Sequence, residues 1–272
     1  MYFRDTIVAG RTIIRNLRAS ARVKTEKQER RARFQPTSEA VRKNNFRYAV
    51  RMLTAKLNHN FKQGDYHIVL TYKEIVTPEE SKKLLKRFLN NVRNYCKRND
   101  IEFKWVAVTE YQHTRIHHHL VMTGIDIRII DKYWKHGHEH PGVLDETGNY
   151  YRLAEYLLKE TEKTFREEDS PQKRRYTSSR NVKMPEVKRE KVSGREVRQQ
   201  IKPPKGYYVD EDTRRKYEHA VLGVECMEYI MVSLDEEPRL KRWPKGRAVN
   251  PREILKDYER QISFADICEL NI

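Results

Sequence analysis

WVAVTEYQHTRIHHHLVMT, residues 105–123, decides how the rest of the chain is read. Lys104 to Tyr111 and Ile116 to Met122 each alternate apolar with other residues and carry many β-branched members. A short polar link, Gln112 to Arg115, joins them, and together this is the pattern of a β-hairpin. Alternate side chains on a strand share a face, so His117 and His119 go together and His118 goes to the other side. Closing the hairpin at the link sets Glu110 roughly opposite His117 on that face, within the ~4.5–5.5 Å that separates cross-strand Cβ atoms. One carboxylate and two imidazoles on a rigid sheet form an open half-shell for a divalent cation, with room left for water or phosphate oxygens. The mixed oxygen and nitrogen donors suit Mg²⁺ or Mn²⁺.

Upstream, Tyr66 to Tyr72 (YHIVLTY) reads as a core strand, reached through a turn at Asn60 to Asp65. Thr77-Pro78-Glu79-Glu80 is a helix start: Thr77 caps, Pro78 suits the first helical position, and Glu80 completes a capping box. Leu84, Leu85, Phe88, Val92, Tyr95 and Cys96 then recur at helical spacing, an apolar stripe to lay on a sheet. An earlier helix opens near Pro36 to Glu39 and runs to about Asn58, with Val41, Ala49, Val50, Leu53 and Leu57 along one side. Strand, helix, hairpin, helix in that order predicts an α+β fold, an antiparallel sheet with helices packed on it.

Downstream, Tyr150 to Glu160 (YYRLAEYLLKE) is helical. At 3.6 residues per turn, Leu153, Ala154, Leu157 and Leu158 form a broad apolar side, and Arg152, Tyr156, Lys159 and Lys163 the other. Tyr156 is therefore not read as a core tyrosine. A phenol with a cation one turn ahead is what attack on a phosphate needs, because a reference pKa of ~10 makes it a poor nucleophile unless positive charge favours the phenolate.

Glu110 with His117-His118-His119 resembles the metal motif of the HUH endonucleases, the rolling-circle replication initiators and their relatives, although His118 stands where that family has a bulky hydrophobic residue. Tyr156-Leu157-Leu158-Lys159 resembles the family's Tyr-x-x-Lys motif, and Leu70-Thr71-Tyr72 its first motif. The resemblance is closest to replication-associated proteins of the filamentous-phage type and their plasmid and prophage relatives, and it spans about residues 38 to 181. It implies an RRM-like fold with the metal face open to DNA. It also implies Glu110, His117 and His119 as metal ligands, Tyr156 as a single nucleophile and Lys159 as its support. Tyr150 and Tyr151 do not stand at the Tyr-x-x-x-Tyr spacing of two-tyrosine members.

Composition points the same way. The 272 residues hold 56 Lys+Arg against 39 Asp+Glu, a net +17, and 16 tyrosines. A polyanion is the expected partner, with rings on which bases stack. Arg152 and Lys163, with Arg174, Arg175, Tyr176 and Arg180 from the segment Lys173 to Asn181, are the candidate DNA contacts, although a solvated basic loop has the same composition. Cys96, Cys226 and Cys268 match neither a disulfide framework nor a zinc knuckle, which fits a reducing cytoplasm. No apolar run approaches the ~20 residues of a membrane span, so no membrane association is expected.

Three regions are expected: a basic arm or loosely packed helix over residues 1–36, the catalytic domain over 37–182, and a linker with a small appendage over 183–272. In the last, Glu225 to Ser233 reads as a strand paired with Gly206 to Asp210, and Arg252 to Ile262 as a short helix. His136-Gly137-His138-Glu139-His140-Pro141 reads as a solvated or DNA-contacting loop rather than a dedicated metal site.

The expected activity is that of a metal-dependent endonuclease and strand transferase. It would nick and rejoin single-stranded or supercoiled origin DNA, leaving a 5′-phosphotyrosine and a free 3′-hydroxyl. No Gly-x-x-x-x-Gly-Lys-Ser/Thr occurs, so a host helicase would unwind and a host polymerase extend. A relaxase or single-tyrosine transposase would share the chemistry. A basic, non-catalytic DNA-binding regulator would need only the charge, and a water-activating nuclease only the metal ligands.

Overall fold

The computed structural model describes residues 1–20, 39–112, 115–162, 170–171, 174–219 and 222–235. In chain order the elements are β1 (Tyr2–Ala9), β2 (Thr12–Ala19), α1 (Glu39–Asn60), β3 (Tyr66–Leu70), α2 (Pro78–Arg98), β4 (Trp105–Gln112), β5 (Arg115–Met122) and α3 (Ile127–Tyr133). There follow β6 (Glu139–Val143), α4 (Tyr151–Glu162), β7 (Thr177–Ser178), β8 (Val187–Val192), β9 (Tyr207–Glu218) and β10 (Glu225–Ser233). The fold is α+β, and among the described residues two five-stranded sheets form, β6-β3-β5-β4-β7 and β8-β1-β2-β10-β9. They belong to two compact units.

In the first of these sheets every pairing is antiparallel. The hairpin β4–β5 takes the register its alternation predicts, with Glu110 opposite His117, Thr109 opposite His118 and Val108 opposite His119. One face carries the apolar set Ile68, Leu70, Ala107, Leu120 and Met122, on which Leu85, Phe88, Leu89 and Val92 of α2 pack. The capping box at the start of α2 is formed: Glu80 N donates to Thr77 Oγ1 at 3.2 Å, and Thr77 N to Glu80 Oε2 at 2.9 Å. It fixes the first turn of a helix whose carboxylates, Glu79 and Glu80, sit where the dipole favours them.

The opposite face is covered by α4, which lies against β4, with α1 against α4. Buried Val50, Leu53 and Leu57 of α1 and Leu153, Ala154, Leu157 and Leu158 of α4 supply that layer. Asn58 Oδ1 accepts from Tyr150 N at 2.9 Å and so ties the start of α4 to the end of α1.

Two segments of this unit differ from expectation. The histidine-rich stretch is only partly a loop, because Glu139–Val143 pairs with β3 as an edge strand, with His140 opposite Val69. Pro141 is tolerated there because an edge strand leaves one side of its backbone unpaired. Gly137 lets the approach happen, since a Cβ at that position would lie 2.0 Å from Thr71 O. Likewise Thr177 and Ser178, expected in a basic loop, form an edge strand on β4.

The second unit corrects the reading of the amino-terminal residues as a basic arm. Residues 2–19 are a pair of strands, and β2 pairs with β10 from Thr12 opposite Val232 to Leu17 opposite Met227. Its charges are used internally: Asp5 bonds Arg18 at 2.9 Å and Arg189 at 2.6 Å. Burial works to raise the Asp5 carboxyl, but these two guanidiniums overcome it and hold the group below its ordinary pKa. Residues 183–205, expected as a linker, contain β8 and a 3-10 turn at Gly194–Val197. The expected strand Glu225–Ser233 is present and pairs with β9. The rest of the basic stretch beyond residue 20, the helix at Arg252 to Ile262 and Cys268 lie outside the described residues. No described helix is long and apolar enough to cross a membrane.

Candidate active site

Strand pairing builds the site. Residues directly opposite on neighbouring strands share a face, so Val69 links His119 on β5 to His140 on β6, and β4 adds Glu110 beside His117. His119 and Glu110 are buried, and His119 Nε2 lies 3.5 Å from Glu110 Oε2, longer than a strong N–H···O bond of ~2.9 Å. His119 Nδ1 is buried with no hydrogen-bond partner. Neither ring nitrogen is committed to a strong bond, which leaves the imidazole able to act as a ligand. His117 is half-buried at the rim. Burial lowers its pKa, against the pull of the Glu110 carboxylate, so His117 favours the neutral form that a cation needs. Among the described residues no three His, Cys, Asp or Glu side chains are already drawn together as a complete set. The donor chemistry fits a divalent ion; the open shell leaves its remaining positions to other ligands.

His118 points to the other face and is fully buried, with its Nε2 2.8 Å from Tyr72 Oη and its Nδ1 2.9 Å from Thr109 Oγ1. Burial pushes its pKa down to about 3, so it is a neutral hydrogen-bonding part of the core.

Tyr156 arrives from α4. The helical projection puts it on an exposed side with Arg152 and Lys159, yet it is half-buried while those two are exposed. At 100° per residue Tyr156 sits on the shoulder of the apolar stripe, ~60° from Leu153, and a ring there reaches the sheet where a shorter side chain would not. Its ring meets His119 edge-on, with centroids 5.4 Å apart, and His67 likewise at 6.4 Å. Helix and hairpin thus bring the candidate nucleophile against the candidate ligands.

Residues 65–165 match the replication-associated protein ORF2 family. No curated protein and no solved structure matches the chain. The matched span begins just before β3 and ends just past α4, so it contains every residue of the site described above. It leaves out α1, β7 and the whole second sheet.

Sequence reasoning missed His67, a buried residue in β3 whose ring stacks on His119 at 5.6 Å with planes 12° apart. Burial pushes its pKa down to about 3. The signal available was parity: His67 alternates with Val69, but only the pairing of β3 with β5 shows that this parity faces the site. His136 packs on Trp134 and the His138 carbonyl accepts from Thr71 N, so only His140 of that cluster joins the site's face.

Of the basic candidates in and near the replication-associated span, Lys159 is exposed and lies 3.8 Å from Glu155 Oε2. Arg152, Arg174 and Arg180 are exposed. Arg175 is ion-paired with Glu162 and stacks over Phe46, and Tyr176 lies under Lys56 Nζ at 4.8 Å. Lys163 lies outside the described residues.

Proposed function

We propose that the chain is a replication initiator that cuts and rejoins one strand of origin DNA through Tyr156. The observation that carries this reading is the seating of the Tyr156 ring on His119, within the face that also presents Glu110 and His117. The similarity of residues 65–165 to replication-associated proteins supports a role in replication over strand transfer or transposition.

Tyr156 Oη attacks the phosphorus in line; the new O–P bond forms as the bond from phosphorus to the 3′ oxygen breaks, and the 3′-hydroxyl leaves with a proton. The product is a 5′-phosphotyrosine. Because it remains a phosphodiester, the reverse attack by a 3′-hydroxyl restores the strand and frees Tyr156. Lys159 and Arg152, on the exposed flank beside the tyrosine, favour the phenolate and the approach of the phosphate. His67 stacks behind His119 and is neutral at physiological pH, so it holds that ring without adding a repelling charge. A divalent cation held by Glu110, His117 and His119 would offset the charge that develops on the phosphate oxygens. Strand separation and extension of the 3′-hydroxyl fall to a separate helicase and polymerase.

The test is to incubate the protein and Tyr156→Phe with single-stranded and supercoiled DNA carrying the replicon's own origin, then separate products under denaturing conditions. The wild-type protein should shift the 5′ fragment as a covalent adduct, and the Phe variant should bind DNA but neither cut nor shift it. Adduct formation by the Phe variant, or cutting by the wild type with no adduct at any time, would overturn the tyrosine mechanism.

A further inference from the structure

On the sheet face turned away from Tyr156, a groove of about 630 Å³ runs between α2 and β4. Trp105, Ala107, Thr109 and Tyr111 alternate along β4 and so share this face. The two rings stand at either end, both half-buried, and the small residues between them make a trough. Six strand steps place the rings ~20 Å apart.

The walls are cationic. Lys82, Lys86 and Arg93 stand at i, i+4 and i+11 along α2, one stripe of the helix, and all three are exposed beside the groove. Arg174 faces them from the segment leading into β7, and no carboxylate is among the described lining residues. Surface charge that serves solubility alone mixes both signs. Between Ser81 and Arg98, α2 carries seven Lys or Arg and no Asp or Glu, so nothing on that helix surface neutralises them.

From this we infer that the groove is a second binding site, for single-stranded DNA, which holds the nucleic acid while the opposite face does chemistry. Unpaired bases offer flat faces to Trp105 and Tyr111, and the backbone phosphates run along the Lys82–Arg93 stripe. A duplex offers the phosphates but keeps its base faces stacked inside. The sheet itself separates the groove from Tyr156, so the strand segment held here is not the one being cut; a grip of this kind keeps the DNA bound between cutting and rejoining. The DNA assignment rests on the proposed function, whereas the groove's preference for a single strand rests on its own residues.

The experiment uses the full chain carrying Tyr156→Phe, which removes cutting from the readout, and a labelled oligodeoxythymidine as probe. Adding Lys86→Glu and Arg93→Glu together should weaken binding at least tenfold and make the logarithmic salt dependence shallower by about 1.4, two single-strand phosphate contacts at ~0.7 each. Trp105→Phe should keep most of the affinity while abolishing the fluorescence quenching that oligodeoxythymidine produces. Unchanged affinity and salt slope in the double variant, or an equal loss on a blunt duplex of the same length, would overturn the inference. An adduct assay on the wild type separates the two proposals: if no adduct forms but the charge reversals still cost single-strand binding, the groove stands and the nicking mechanism falls. If adducts form and the reversals cost nothing, the groove falls alone.

Discussion

The ring planes of Tyr156 and His119 stand at 87° with centroids 5.4 Å apart, so the hydroxyl-bearing ring is seated by the same imidazole that faces Glu110. A change at His119 therefore disturbs two parts of the site together. His119→Ala should abolish strand cutting and also loosen Tyr156, while Glu110→Gln should abolish cutting with Tyr156 still in place. Cutting should require Mg²⁺ or Mn²⁺ and stop on chelation, with DNA binding retained. Chelation that leaves cutting intact would remove the metal from the scheme.

His118→Ala should behave unlike either neighbour. Removing this buried ring leaves the Tyr72 and Thr109 hydroxyls without the partner they have now, at a cost of about 1–3 kcal/mol for the lost bonding. Thermal unfolding should move down by several degrees, while cutting per folded molecule is preserved. Loss of cutting without loss of stability would place His118 in the chemistry.

His67 is assigned a positioning role by its stack on His119. His67→Phe keeps a flat ring in the same space, and His67→Ala removes it. Adduct formation should slow tenfold or more in the Ala variant, since misplacement of reacting groups is expensive, and the Phe variant should recover part of that rate. Oligonucleotide affinity should be equal in all three proteins. Equal rates in all three would show that the stack is incidental.

Acid should unfold the protein through the same imidazoles. His67 and His118 have an ordinary pKa of 6.5 and a folded pKa of about 3. Between these values the unfolded chain binds protons that the folded chain refuses, so their contribution is complete above about 6.5 and is lost as the pH falls toward about 3. Melting temperatures measured from about pH 7 to about pH 4 should fall, and replacing both histidines by Gln should flatten that slope. An unchanged slope would mean the two rings titrate normally in the folded state.

The hairpin was legible because its period of two fixes both register and face, and the cap of α2 because Thr77-Pro78-Glu79-Glu80 carries its own local chemistry. Tyr156 was found by its helix but placed too far from the sheet: a helical projection gives the angle of a side chain, not the reach of a ring from the shoulder of an apolar stripe. His67 was hidden because parity within β3 means nothing until β3 is known to lie beside β5. His140 was hidden by glycine and proline, which mark a turn in most contexts and here permit a close edge strand. The amino-terminal strands were hidden by charge. Arg4, Asp5 and Arg18 read as solvated, yet Arg4 pairs with Glu190 and Glu196 and Asp5 with Arg18 and Arg189, partners nearly two hundred residues away in all but one case.

The sheet β8-β1-β2-β10-β9 draws β1 and β2 from residues 2–19 and the other three strands from residues 187–233. During synthesis the first pair is made long before its neighbours, and β2 keeps an open edge until β10 has left the ribosome. Every strand of the other sheet is complete by Ser178. The unit that begins first is therefore finished last, and through that interval the exposed strand edge is the part of the chain most open to pairing with a neighbouring molecule.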